Sequence, residues 1–286
     1  MTNHVLPLSM SFPPKGKMDA IAGIKMLDEN GFDAIDFTLN TFHELYGDNW
    51  RAEVPRVREA LDASGIVATA AHLPFGGPKK MDPALLHRQV VDGIEMAGIL
   101  GVKRAVLHPL GDREAEPTAE NRKYWFDKNM EYYSTYLPLA EKAGIKLVTE
   151  NMRDPSHLVG KHRYASNAEE LIELADVLGL EICWDFGHAH GAGLDHYTEL
   201  CKLGNRLTML HVNDNSAVND DHVPPYFGTA DWESAIRGLR EIGYRGHFNF
   251  ELKFRRLPLD TIPAALGFVR AIGENMTSRI VGADKL

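Results

Sequence analysis

The sequence predicts a (β/α)8 barrel built as a single domain over residues 1–286, and three observations carry that prediction. A helical pattern, a glycine and a short β-branched apolar run recur in that order seven times. The punctuating glycines lie about 35 residues apart on average, the size of one βα unit. The apolar runs alternate little, as strands covered by helices on both faces should. Strict alternation of strand and helix gives a parallel sheet, and eight similar units favour closing that sheet on itself.

The elements follow in order. The first strand is read in VLPLSM. Ile21, Ile24 and Leu27 mark one face of the first helix, which ends at LDEN before Gly31 and the second strand, FDAIDF. LDAS and Gly65 precede IVATAAH. Leu86, Val90, Ile94 and Ala97 then repeat at helical spacing before Gly101 and VKRAVLH. EKA, Gly144 and IKLVTE form the next unit. Leu171, Leu174 and Leu178 lead to Gly179 and LEICWD, and CKL leads to Gly204 and NRLTMLH. Ile236, Leu239 and Ile242 precede Gly243 and YRGHFNFE. A glycine just past a helix end is the expected left-handed residue. An open doubly wound sheet is the alternative, and it usually brings a glycine-rich nucleotide turn. Neither G-x-G-x-x-G nor G-x-x-x-x-G-K-[ST] occurs, since Gly191-Ala192-Gly193 lacks the third glycine. No linker or low-complexity tract divides the chain.

Composition removes several classes. The chain has 40 acidic and 31 basic side chains, 13 histidines, two cysteines and 44% apolar residues. That much apolar content rules out a disordered chain. Cys183 and Cys201 alone make neither a disulfide framework nor a four-thiolate zinc site, and they suit a reducing compartment. A net charge of -9 argues against broad binding to nucleic acid or anionic membrane. The N-terminal MTNHVLPLSMSFPPKGK lacks the pattern of a signal peptide, and no apolar run is long enough to span a bilayer. The expectation is a soluble, cytoplasmic protein with no membrane partner.

In such a barrel the chemistry sits at the C-terminal ends of the strands. Six consecutive predicted strands end there in a potential metal ligand: His72, His108, Glu150, Asp185, His211 and Glu251. Unpaired carboxylates aimed at one volume repel and shift their pKa values, and a divalent cation resolves that conflict. Glu150, Asp185, His211 and Glu251 form the expected ligand set for one ion. Their oxygen-rich, sulfur-free chemistry suits Mn, Mg or Co, with Zn also compatible. Cys183 lies two residues before Asp185, so a soft ligand is conceivable, but a buried hydrophobe is the expected role. In the loops, His188, Asp220 and His222 are candidates to contact substrate, orient ligands or hold additional metal. His190 is expected to be an exposed loop histidine. Arg153, Lys161, His162 and Arg163 after strand five, and Lys253, Arg255 and Arg256 after strand eight, have the chemistry to take a carboxylate or phosphate. For most of them a solvated basic loop is expected.

These residues carry a resemblance. The motifs AHLPFG, VLHPLG, LVTEN, CWDFGHAHGAG, LHVNDN, DDHVPPYFGTADW and FNFEL resemble the xylose-isomerase-like TIM-barrel superfamily of sugar isomerases and epimerases, nearly end to end. The resemblance implies that Glu150, Asp185, His211 and Glu251 hold a single divalent metal, as in the ketose 3-epimerases. It makes Glu150 and Glu251 the proton-transfer pair and sets His188 near the substrate oxygens. A metal on adjacent carbonyl and hydroxyl oxygens stabilises an enediolate. Carboxylates on opposite sides then exchange protons for epimerisation or, at the neighbouring carbon, isomerisation. The substrate implied is a small sugar or polyol, and a homo-oligomer is left open.

The same superfamily includes the endonuclease IV group, whose three zinc sites are matched here by His72, His108 and Glu150, by Glu150, Asp185, His211 and Glu251, and by His188, Asp220 and His222. A tri-zinc phosphodiesterase is therefore an alternative, as are a cyclitol (inosose-type) dehydratase and a non-catalytic metal-binding barrel. The segment GFDAIDFTLNTFHELYG reads like the isomerases, with Asp36 where they carry an acid, and the loops lack an evident grip for a bent duplex. Both branches commonly have a P-G-x-G turn where this chain has Pro225-Tyr226-Phe227-Gly228, which implies a different loop conformation. Tyr226 and Phe227 are expected either to cover the site or to pack on its rim.

Overall fold

Eight short runs rich in β-branched and aromatic residues pair through parallel ladders. The computed structural model describes residues 6–13, 18–75, 82–154, 160–254 and 256–282. The strands are β1 (Leu8–Phe12), β2 (Ala34–Thr38), β3 (Val67–His72), β4 (Arg104–Val106), β5 (Lys146–Glu150), β6 (Glu181–Asp185), β7 (Leu207–His211) and β8 (Phe248–Phe250). They lie in the order β7-β6-β5-β4-β3-β2-β1-β8. A parallel bridge between Val212 and Phe250 joins the two ends. The Val212 N–H donates to the Asn249 carbonyl at 2.8 Å, and the Glu251 N–H donates to the Val212 carbonyl at 3.1 Å. The sheet is a (β/α)8 barrel.

The helices are α1 (Ala20–Glu29), α2 (Leu39–Tyr46), α3 (Trp50–Asp62), α4 (Pro83–Leu100), α5 (Ala119–Lys142), α6 (Ala168–Leu178), α7 (Phe186–Gly191), α8 (His196–Leu203), α9 (Trp232–Glu241) and α10 (Ile262–Ile280). Their starts follow sequence chemistry. Asp19, Asp82, Thr118, Asn167, Asp185, Asp195 and Asp231 each accept a backbone N–H of the first turn. None of the described helices is long and apolar enough to cross a membrane.

Four details differ from the sequence reading. β1 begins at Leu8, later than VLPLSM suggests, because Pro7 has no N–H for the ladder and only its carbonyl is used, accepting from Phe248. Ile21 is exposed at 38%, since the buried stripe of α1 runs through Ala20, Gly23, Ile24 and Leu27. Among the seven punctuating glycines, Gly65 is not at positive φ; α3 ends instead on Ala63 in a right-handed conformation. Strands β4 and β8 stop at Val106 and Phe250, so His108 and Glu251 lie just beyond them rather than within.

Two cores result. The larger packs the outward strand faces, including Ile35, Leu147, Ile182 and Leu210, under the helices. The smaller plugs the barrel interior with Ala70, Val106, Val148, Cys183 and Met209. Register shifts in the β2–β3 and β6–β7 pairs align Asp36 with Ala70 and Cys183 with Met209. Thr69 and Thr208 are passed over there, and their hydroxyls donate to the Ile35 and Ile182 carbonyls of the neighbouring strands.

Candidate active site

Side chains two apart on a strand share a face. Two residues past the apolar plug on β3 to β7, the same face therefore carries His72, His108, Glu150, Asp185 and His211, and Glu251 joins them after β8. Suitable donor atoms of Glu150, Asp185, His211 and Glu251 lie within 4.8 Å of one another. His211 Nδ1 stands 3.2 Å from Glu150 Oε1 and 3.3 Å from Glu251 Oε2. Two further groups meet the same closeness: His72 with Glu150 and His211, and His188 with Asp220 and His222. His72 Nε2 and His108 Nε2 are 2.9 Å apart, with Glu150 Oε2 at 3.6 and 3.3 Å.

The donor set fits a divalent cation on the chemistry of its leftover atoms. Glu150 Oε2, His211 Nδ1 and Asp220 Oδ1 are buried without a hydrogen-bond partner. Leaving such atoms unpaired costs about 1–3 kcal/mol each. Without a cation, the counter-charge beside the carboxylates among the described residues is mainly protonated imidazole, with Lys253 added at Asp220. Burial alone would raise the Glu150 carboxyl, but His211, His108 and His188 outweigh it and hold it well below the usual range. Burial likewise opposes ionisation of Glu251, and His211 and His222 bring it down. Asp185 has weaker help, and burial lifts it to about 6. His188 is up at about 10 because Asp185 and Glu150 overcome its burial, whereas burial brings His108 down to about 4.

Neighbouring polar groups fix the orientation of these side chains. Asp185 Oδ1 accepts the His188 N–H at 2.6 Å, and Oδ2 accepts from Asn213 Nδ2 at 2.8 Å. Asn151 brackets the Asp185 backbone, accepting from its N–H at 2.6 Å and donating to its carbonyl at 2.9 Å. His188 Nδ1 donates to the Asn151 carbonyl and His222 Nδ1 to the Glu251 carbonyl. Each ring thereby turns Nε2 toward Asp220 Oδ1, at 3.8 and 3.2 Å. Asp36 stands with Oδ2 3.3 Å from His211 Nε2 and accepts from Ser11 Oγ at 2.9 Å, so it lies behind His211 rather than among the candidate ligands. Asn151 was missed in the sequence, and Asn213, visible there as part of a polar loop after His211, was given no role. Their signal was position, one residue after Glu150 and two after His211. Asp214 was missed as an anchor: it accepts from the backbone N–H of Asn215, Tyr226 and Ala230 and from Trp232 Nε1.

The remaining expectations divide. Cys183 belongs to the apolar plug, where burial pushes its thiol up to about 12, and among the described residues it joins none of the donor groups. His190 is partly exposed and pairs with Thr229 Oγ1 at 2.8 Å. The basic loop after β5 is not simply solvated. Arg153 is buried, and His162 is held between Asp154 and Glu170, each at 2.8 Å. Lys161 is exposed, and Lys253 pairs with Asp220 at 3.2 Å. Arg256 is exposed, and Arg255 lies outside the described residues. Tyr226 and Phe227 pack on the rim, against Trp232 and Phe268. At this turn a tyrosine stands in a conformation that ordinarily takes a glycine. The Phe227 N–H donates to the Pro224 carbonyl, and Tyr226 has φ 72°, the left-handed value that a type II turn requires.

Comparison with known proteins agrees with this architecture. The model of the xylose isomerase-like TIM barrel family matches residues 24–272, and the chain belongs to that family. An uncharacterized protein of Methanocaldococcus jannaschii is 26% identical over 245 residues, covering 81% of this chain and 78% of the relative. A D-tagatose 3-epimerase-like protein of known structure superposes with a TM-score of 0.72 at 22% identity, over 96% of this chain and 100% of the other. An L-ribulose 3-epimerase does so with a TM-score of 0.72 at 16% identity, over 99% of each chain. At such identities the likeness is one of fold.

Proposed function

We propose that this member of the xylose isomerase-like barrel family is a divalent-metal-dependent sugar isomerase or epimerase. The observation that carries the reading is the convergence of Glu150 and Glu251 on His211 Nδ1, at 3.2 and 3.3 Å, from β5 and β8, strands that are not neighbours in the barrel. Its structural neighbours include epimerases of ketoses, which supports the same reaction class. Glu150, Asp185, His211 and Glu251 would hold one ion, with Mn, Mg or Co suited to the oxygen-rich set and Zn compatible. A bound divalent cation supplies polarisation of a carbonyl and charge stabilisation for an enediolate.

The chain's own groups do the rest. A carboxylate needs only one oxygen for a metal, so Glu150 and Glu251 each keep an oxygen for a proton. One removes the proton from the carbon beside the carbonyl and the other returns a proton from the opposite side. Transfer of this kind contributes about 10²–10⁴-fold. His188 Nε2, steadied through Nδ1 on the Asn151 carbonyl, is a donor for a substrate hydroxyl. The test is incubation of the metal-loaded protein with ketoses in D2O. Deuterium incorporated beside the carbonyl, with inverted configuration or a moved carbonyl, is the expected result. Loss of water from the substrate would identify the cyclitol dehydratase instead.

The two further donor groups, His72 with Glu150 and His211, and His188 with Asp220 and His222, favour one second reading, a tri-zinc phosphodiesterase. Metal analysis of protein purified without chelator separates the two. About one ion per chain fits the isomerase, whereas three zinc ions with cleavage of abasic-site duplex DNA would overturn it.

A further inference from the structure

The loop after β5 holds two arginines with opposite commitments. Arg153 staples the mouth together. A Cβ added to Gly191 at the end of α7 would lie 3.2 Å from its Nε, and a terminal nitrogen donates to the Val218 carbonyl. Arg163 lies instead across the loop after β4, where a Cβ on Gly111 would meet its Cγ at 3.1 Å and its Nε at 3.5 Å. It is half-buried, and its Nε–H is buried without an acceptor. Among the described residues its guanidinium makes no hydrogen bond or ion pair.

The acids nearby are otherwise engaged. Asp154 accepts from His162 at 2.8 Å, and Asp112 is exposed and accepts the Glu114 N–H at 3.0 Å. Burial and the like charge of exposed Arg113 bring Arg163 down to about 10, so it remains a cation at neutral pH, within electrostatic range of Glu150. A desolvated guanidinium beside a second cation is unfavourable until an anion arrives. Its planar fork matches a phosphate or carboxylate in a bidentate way.

We infer that Arg163, assisted by Arg113, receives an anionic group, phosphate or carboxylate, carried by the sugar whose reacting carbons lie between Glu150 and Glu251. The inference rests on the isomerase reading and adds the charge of the substrate to it. It also separates Arg163 from Arg153, which shares a buried Nε–H without an acceptor but whose terminal nitrogen is engaged by the Val218 carbonyl.

The experiment is isothermal titration of metal-loaded wild type, Arg163→Met, Arg163→Lys and Arg113→Gln with D-fructose, D-fructose 6-phosphate and D-fructuronate. Any contribution of the metal to anion binding is common to all four proteins. In wild type, one anionic ketose should bind at least about 10-fold more tightly than D-fructose, the effect of a charge-assisted hydrogen-bond pair. Arg163→Met should erase that preference, Arg163→Lys should restore part of it, and Arg113→Gln should weaken it severalfold. The phosphate and carboxylate arms say which anion is read. Equal binding of all three ketoses by wild type, or a preference that survives in Arg163→Met, overturns the inference. Should Arg163→Met not fold, Arg113→Gln decides, since its side chain is exposed, and an unchanged preference there counts against the assignment. An anion preference without isotope exchange into any ketose would sink the isomerase reading and leave the anion site standing.

Discussion

Along β3 to β7 the barrel interior holds two adjacent layers made by the same strands. In the lower layer Ala70, Val106, Val148, Cys183 and Met209 form one buried apolar cluster. In the upper layer, two residues further along each strand, stand His72, His108, Glu150, Asp185 and His211. The lower layer is complete as folded, because apolar atoms ask only for contact. The upper layer leaves Glu150 Oε2 and His211 Nδ1 buried and unpartnered. A strand's period of two thus turns one stability layer into a floor for a site that is finished only by what binds there.

The largest effect should come from breaking the upper layer alone. Glu150→Gln keeps the shape and removes the charge, and we expect turnover to fall about 10³-fold. Glu251→Gln should behave alike. Cys183→Ser, one layer down on β6, should leave metal content intact. Steady-state kinetics with metal analysis on the three variants checks this. Retained activity in both glutamate variants would refute the two-glutamate mechanism, and metal loss in Cys183→Ser would merge the layers.

Next in size is the response to metal. A cation at about 100 times its Kd should raise unfolding stability by about 2.7 kcal/mol in wild type, and by much less in Glu150→Gln. Val148→Ala should lower stability by about 2 kcal/mol through the cavity it leaves. The metal increment should survive that change intact, because the two layers contribute independently. Thermal unfolding with and without chelator reads both quantities, and an increment that shrinks in Val148→Ala would show that the plug tunes the site.

How much of this was legible in the sequence follows from the same period. The six potential ligands were readable because a strand end is a local property and the motif around each is short; of the plug only Cys183 was read, as a buried hydrophobe. Asn151 and Asn213 were not readable as the holders of Asp185, since an asparagine after a ligand has no spacing rule of its own. Arg153 and Arg163 look alike in sequence, and only the fold brings Gly191 and Val218 to one and Gly111 to the other. Tyr226 gave no local sign of its backbone: a left-handed residue is expected to be glycine, yet the Phe227 N–H donates to the Pro224 carbonyl around a tyrosine at φ 72°.

The plug and the loop at the mouth should also differ in their response to pH. At the edge of the mouth, His162 is lifted to about 10 by Asp154 and then Glu170, from an ordinary value of 6.5. Below about pH 6.5 the proton is bound in folded and unfolded chains alike, and the ion pairs stabilise fully. As pH rises toward about 10 the unfolded chain has lost the proton that the folded one still holds, so the contribution declines and then vanishes. With the ring 28% exposed, His162→Gln should cost about 2 kcal/mol at pH 6 and progressively less toward pH 10. The deficit of Val148→Ala, which involves no titrating group, should stay level. Urea unfolding across that range compares them, and a deficit in His162→Gln that does not shrink would mean its packing matters more than its charge.

The smallest effect concerns the turn that anchors the loop bearing Asp220 and His222. Tyr226 occupies φ 72°, where a non-glycine residue is strained by about 1–2 kcal/mol. Asp214 accepts its N–H at 3.0 Å and holds the turn in place whatever the side chain. Tyr226→Gly relieves the strain, but it also loosens the unfolded chain by about 0.4–1 kcal/mol. It gives up the ring contact with Trp232, at 6.4 Å between centroids, and the hydroxyl that accepts from Arg279 Nη1 at 3.5 Å. The ring is 49% exposed, so those contacts are weak. The net expectation is a gain of about 0.5 kcal/mol, with metal content unchanged because the ring lies on the rim. A loss of stability instead would show that the tyrosine holds the loop through Trp232 and Arg279, and that the mouth, like the plug beneath it, depends on packing at its edge.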